Sequence, residues 1–158
     1  MGKLLGLLGA AVALVALAVG LAGPAWGSSG NNGNQATIRV DAVTTEQNFV
    51  DLPPAPGTSL GDLIVFTGQL LQGDTEVGHQ SGVCTVTSVQ RNEAQCNATY
   101  SLRGGQITAQ ALITLGSSAP YAGAITGGTG KYQGAEGEVI VQPVSATRGM
   151  LTFHLQQD

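Results

Sequence analysis

Five glycines, Gly127, Gly128, Gly130, Gly134 and Gly137, sit between two short β-branched runs, with Lys131 and Tyr132 among them. A glycine-rich loop that carries a lysine could cradle a phosphate. A P-loop, however, requires Gly, four residues and then Gly-Lys-Ser/Thr. Counting back from Gly130-Lys131 reaches Ile125, and Tyr132 stands where the magnesium-binding hydroxyl is needed. A dinucleotide site also requires a helix behind its glycines. Here Glu138-Val-Ile-Val141 follows, a strand-type run that would aim no helix dipole at a phosphate. The spacing argues against nucleotide binding and for a structural loop, with the glycines supplying turns and bulges between two strands.

Acid–base, nucleophilic and metal chemistry have few carriers. No Gly-x-Ser-x-Gly elbow occurs, which argues against serine hydrolysis. Glu136 and Glu138, two apart on an extended chain, face the same side, but nothing near them would raise a carboxyl pKa, so a solvated strand end is expected. His154 shares a strand face with Met150 and Thr152, opposite Leu151, Phe153 and Leu155, and falls outside if the apolar face lines the core. His79, in Glu76-Val-Gly-His-Gln80, is expected in a loop. Two sulfurs and two distant histidines do not make a zinc site, and neither metal nor cofactor is expected. Cys84 and Cys96 flank a hairpin, and pairing them across it also pairs Val86 with Ala94. A cross-strand disulfide is the expectation, with two buried free thiols as its alternative.

These residues must be positioned by strands. From Ala36 onward, apolar residues run or alternate in short segments bounded by turn residues. The segments are Ala36 to Val43, Gln47 to Asp51, Asp62 to Leu71, Gly82 to Gln90, Ala94 to Leu102, Gln106 to Leu115, Tyr121 to Thr126, Glu138 to Gln142 and Gly149 to Leu155. Pro53-Pro-Ala-Pro-Gly57, Gln72-Gly-Asp74, Arg103-Gly-Gly105 and Gly116-Ser-Ser118 punctuate them. The period of two is clearest in Ala94, Cys96, Ala98, Tyr100 and Leu102, and again in Ile107, Ala109, Ala111, Ile113 and Leu115. About eight such strands without helix-length segments predict an all-β closed antiparallel barrel, since closure removes exposed edges. A β-sandwich is the alternative. A barrel of about eight strands has room for packed side chains or for one small ligand.

Met1-Gly-Lys3, the uncharged run from Leu4 to Ala22 and the small residues Ala25 and Gly27 have the form of a secretory signal ending at residue 27. The run is also long enough to span a bilayer, so an uncleaved anchor competes with cleavage. Residues 28–35 form a Gly/Asn/Ser tract expected as a disordered leader, and residues 36–158 the single domain. Without the signal segment the chain has ten acidic and five basic residues, a formal charge of −5. The basic residues are scattered, which excludes a nucleic-acid footprint.

Several short motifs, in order and spacing, resemble the plant allene oxide cyclases: Gly61-Asp-Leu-Ile-Val-Phe66, Gly82-Val-Cys84, Ala98-Thr-Tyr-Ser101, Gly105-Gln-Ile107, Ile125-Thr-Gly-Gly-Thr-Gly130, Gly134 with Gly137-Glu-Val139, and Thr152-Phe153 with Leu155. The Gly-Gly-Thr-Gly-Lys-Tyr loop is also similar to that of the dirigent proteins of the same superfamily. The resemblance implies an eight-stranded antiparallel calycin-like β-barrel with a ligand-sized mouth, assembled as a homo-oligomer. It makes Cys84 the counterpart of a pocket cysteine, available to a ligand only outside a disulfide. Other polar pocket positions depart from the plant pattern: Gly68 stands for an asparagine and Ile113 for a tyrosine, with Asp41 and Glu46 as the nearest carboxylates to a first-strand pair.

Two functions are compatible with this sequence. The first is a secreted barrel that binds a small hydrophobic molecule and steers its cyclisation or coupling by shape, with an isomerase-like activity. The second is a lipid or small-molecule carrier, or a structural barrel, without chemistry. In either case no membrane contact is expected after signal cleavage.

Overall fold

A computed structural model describes residues 34–54 and 56–157. The expected signal segment and leader residues 28–33 lie outside the described residues. Eight strands follow one another: β1 (Asn34–Val50), β2 (Leu63–Gln72), β3 (Thr75–Ser88), β4 (Glu93–Leu102), β5 (Gly105–Thr114), β6 (Tyr121–Gly128), β7 (Glu136–Pro143) and β8 (Arg148–Gln157). Each pairs antiparallel with its neighbour in sequence, and β8 returns to β1, closing the barrel. The barrel expectation therefore holds over the sandwich.

Three segments differ from the sequence expectation. Ala36 to Val43 and Gln47 to Asp51 are one strand, because a bulge between Thr44 and Glu46 absorbs the break in alternation while the chain keeps pairing with β2. Asn34 and Gln35, the end of the expected leader, already pair with Gln157 and Gln156. Glu76 to Gln80 is the first half of β3 rather than a loop: the chain turns at Gly73-Asp74, and the ladder to β2 and β4 claims these residues. Their weak apolar period hid them, since Gly78 occupies a position where the Ser101 carbonyl leaves no room for a side chain.

The alternating pattern sorts inside from outside. Directly paired residues share a face, so the row Thr44, Gly68, Gln80, Tyr100, Ile107, Gly128 runs around the interior from β1 to β6. A second interior row runs Ile64, Cys84, Cys96, Ala111. The buried cluster includes Leu70, Ile107, Phe153 and Leu155, together with Tyr132 and Ala135 from the segment joining β6 and β7. That segment is a short 3-10 turn, Gly130–Tyr132, followed by a return to β7. Strand direction places it at the same end as the tight β2–β3 and β4–β5 turns. This end is closed; the opposite end carries the longer connections 51–62, 115–120 and 144–147.

One of those connections is organised by a buried acid. Asp62 has no exposed surface, and its carboxylate accepts hydrogen bonds from the Leu52 amide at 2.9 Å, the Ser59 amide, and the Ser59 hydroxyl at 3.0 Å. The Leu52 and Ser59 amides hold the carboxyl below its ordinary pKa, against the opposing effect of desolvation. Asp62 is thus a structural staple of the β1–β2 connection.

Candidate functional site

Above the closed end, the interior opens into a cavity of about 920 Å³, within the range usual for small-molecule sites. Its mouth lies between the β5–β6 connection (Gly116 to Pro120) and the β7–β8 connection (Val144 to Thr147). Small residues create the space. Ala98, Ala109, Ala111 and Gly123 stand where larger side chains would meet across the lumen, while Ile64, Phe66, Val139 and Leu151 supply apolar wall. Gly82 is needed beneath Phe66, because a Cβ there would lie 2.5 Å from the ring.

Several polar side chains interrupt this wall, Thr44 and Gln47 of β1 among them. Gln80 and Tyr100 are direct cross-strand partners on β3 and β4, both buried, and Tyr121 enters from the start of β6. None of their side-chain polar atoms hydrogen-bonds another described residue, and none is sealed from the open cavity. Tyr100 is held by Phe153: the ring centroids are 4.9 Å apart at an interplanar angle of 80°, an edge-to-face contact across the barrel between non-adjacent strands. Burial pushes the phenols of Tyr100 and Tyr121 above the ordinary tyrosine pKa, Tyr100 the further, and a charge on Tyr121 would add to the shift of Tyr100. Both therefore stay protonated at neutral pH and can serve as hydrogen-bond donors rather than as bases.

A stability consequence follows with a definite sign. Below about pH 10 both phenols are protonated in folded and unfolded chains alike, and they add no pH dependence. Above it the unfolded chain releases protons that the folded chain keeps, so stability falls as pH rises towards the folded pKa values. Urea midpoints measured from pH 8 to 11 are expected to fall more steeply for the parent than for Tyr100→Phe. Parallel curves would show that Tyr100 titrates as it does in the unfolded chain.

Cys84 and Cys96 are joined in a disulfide between directly paired residues whose Cα atoms are 3.9 Å apart, and both face the cavity. The bridge and the pocket position coexist, although as a disulfide Cys84 offers no thiol to a ligand. Thiol titration of the denatured, unreduced protein is expected to find none among these two. Reduction should lower stability by about 3 kcal/mol at most, the chain-entropy value for so short a loop. Two titratable thiols would refute the bridge.

The remaining candidates are not brought together. His154 is exposed on the outer face, opposite Glu138 on β7 and Thr37 on β1. His79 is exposed on β3. Glu136 and Glu138 are both exposed, as expected. Gly68 and Ile113 do lie at interior positions, but Asp41 and Glu46 do not bring carboxylates into the cavity. Asp41 instead pairs at 2.7 Å with Arg148, the only charged residue of the described cavity wall. No group of three or more potential metal ligands occurs among the described residues.

The glycine loop is placed at the closed end, away from the mouth. Gly127, Gly130, Gly134 and Gly137 have positive φ, whereas Gly128 does not. Gly128 is required for another reason: a Cβ there would collide with the Tyr132 carbonyl and lie 2.8 Å from that of Gln106. The Lys131 ammonium lies 4.8 Å from the centroid of the Tyr132 ring, and its stem packs against Gly104.

A closed antiparallel barrel, plugged at one end and hollow at the other, with a mostly apolar lumen and a few unpartnered polar groups, is a cup for a small molecule in its geometry. Residues 36–153 match the family described as "Allene oxide cyclase barrel like domain", and the chain belongs to it. Among solved structures, the chain is similar to a pyocyanin demethylase at 31% identity, with 77% of this chain and 100% of that one covered and a TM-score of 0.69. It also shares its fold with an exo-specific intermolecular Diels-Alderase, AbnU (13% identity, 79% and 100% covered, TM-score 0.63). A pterocarpan synthase dirigent protein, GePTS1, is similar in the same way (18% identity, 77% and 87% covered, TM-score 0.59).

Proposed function

We propose that this protein is a secreted barrel that binds a small, largely apolar molecule in the open half of its lumen and steers that molecule's cyclisation or coupling by shape. The observation that carries the reading is the cavity of about 920 Å³ lined for the larger part by apolar side chains, with Thr44, Gln47, Gln80, Tyr100, Tyr121 and groups near the mouth as its polar members. No carboxylate or imidazole lines it among the described residues, and its two phenols are held protonated. Chemistry in such a site rests on confinement: holding a flexible substrate in one near-attack conformer can lower a barrier by several kcal/mol without proton transfer. The names of the three similar structures concern small organic molecules, which supports the substrate class. Export rests on the form of Met1 to Gly27.

The test is to incubate the purified barrel with an extract of the source culture, recover bound molecules and identify them by mass spectrometry, alongside an Ala98→Trp variant. Tryptophan at Ala98 places a large ring in the lumen. The parent should retain a small apolar compound and the folded variant should not. A retained compound unchanged in structure after long incubation would favour the carrier. If neither protein retains anything, the binding reading fails.

A further inference from the structure

The chemical class of the ligand can be narrowed from the wall, on the basis of the binding reading above. Gln80 and Tyr100 sit side by side by strand register, and Tyr121 lines the same cavity from the start of β6. Polar groups that face the lumen are open to its solvent, and a ligand that displaces this water keeps them satisfied only if it accepts their hydrogen bonds. No described residue does so for these three side chains. Their chemistry is matched in one respect: the two phenols and the amide NH₂ can each donate a hydrogen bond to an oxygen in the lumen. The alternative partner, a charged ligand group, is poorly served. Arg148, the only cation of the described wall, is committed to Asp41, and a carboxylate placed among neutral groups in an apolar lumen loses more hydration than phenols and an amide restore.

We infer that the ligand is a neutral molecule that turns a hydrogen-bond-accepting oxygen, of ketone or quinone type, towards Gln80, Tyr100 and Tyr121 and its hydrocarbon body towards Ile64, Phe66 and Val139. Tyr100 is the fixed member of the trio because Phe153 locks its ring from the far side of the barrel. These three side chains are specificity-determining. They do not create the cavity; they decide which of two equally shaped molecules it prefers.

Three rigid probes of nearly one shape separate the alternatives: fluorene, 9-fluorenone and fluorene-9-carboxylate, titrated into the full barrel by calorimetry. Fluorenone should bind about tenfold more tightly than fluorene, the effect of one or two net hydrogen bonds, and the carboxylate more weakly than fluorenone. Tyr100→Phe keeps the ring that packs on Phe153 and should remove most of the fluorenone advantage over fluorene. Tyr121→Phe and Gln80→Leu should each remove part of it, and they provide the same reading if Tyr100→Phe does not fold. Equal affinity for fluorene and fluorenone, or an advantage that survives all three variants, overturns the inference and leaves the apolar cup standing. Preference for the carboxylate overturns it in favour of an anionic ligand. Failure of both neutral probes to bind, at concentrations that saturate simple apolar cavities, counts against the cup itself.

Discussion

Gly130→Val is expected to cost about 4 kcal/mol or more and to leave little folded barrel, the largest single-residue effect in this protein. Two penalties fall on one position. The residue has φ of +60°, where a β-branched side chain carries strain of about 1–3 kcal/mol. Its Cβ would also collide with the Gly104 carbonyl, and that carbonyl is the acceptor for the Lys131 amide at 2.9 Å, so relief by moving the backbone breaks the contact that docks the loop on the β4–β5 turn. Gly134 separates the two penalties: its φ is +73°, but nothing lies within 4 Å of an added Cβ, so Gly134→Ala should show strain alone, about 1–2 kcal/mol. Gly128→Val reverses the combination, with ordinary φ and a collision with the Tyr132 carbonyl, and it too should unfold the barrel. Lys131→Ala should cost under about 1 kcal/mol, the scale of an exposed cation–π contact. Urea unfolding of the four variants measures the series. If Gly130→Val were as stable as Gly134→Ala, the loop would not be docked, and its glycines would serve flexibility rather than close approach.

The fold was legible where alternation was strong and hidden where glycine or polar residues interrupted it. The period of two in β4 and β5 locates the interior face, and the Cys84–Cys96 pairing fixes the β3–β4 register. Extending that register four residues down the hairpin places Gln80 opposite Tyr100, so the two central polar residues of the site were within reach of the sequence. They were obscured because Glu76 to Gln80 looks like a loop: Gly78 and the polar residues around it erase the apolar signal, and a glycine demanded by a neighbouring carbonyl cannot be distinguished by sequence from one demanded by a turn. Tyr121 was hidden differently. Its contribution depends on the curvature that brings β6 round to β4 across the lumen, and no local pattern encodes a contact between strands that do not pair. The hollow itself follows from small residues, Ala98, Ala109 and Ala111, which in a single strand look like ordinary strand interior. Only closure sets them around one space.

Phe153→Ala is the second large effect and connects the closed end to the site. Phe153 is fully buried, belongs to the cluster that plugs the barrel and does not line the open cavity. Truncating a buried phenylalanine typically costs about 3–5 kcal/mol, through lost transfer energy and the cavity left behind. The cost should lie in the upper part of that range if the surrounding strands cannot collapse, and barrel closure through the β1–β8 ladder restrains them. Loss of the ring also removes the edge-to-face support of Tyr100, which can then turn towards the vacated space and carry its hydroxyl away from Gln80. Stability and specificity should therefore change together in Phe153→Ala. Phe153→Leu, which keeps more of the volume, should recover part of the stability without restoring the fixed orientation of Tyr100. Urea unfolding reads the first effect and the fluorenone-to-fluorene affinity ratio the second. A Phe153→Leu barrel with a parental ratio would show that Tyr100 is oriented by its own strand and not by Phe153. A cost for Phe153→Ala below about 1 kcal/mol would instead mean that the strands close over the gap, and that the plug is less rigid than its burial indicates.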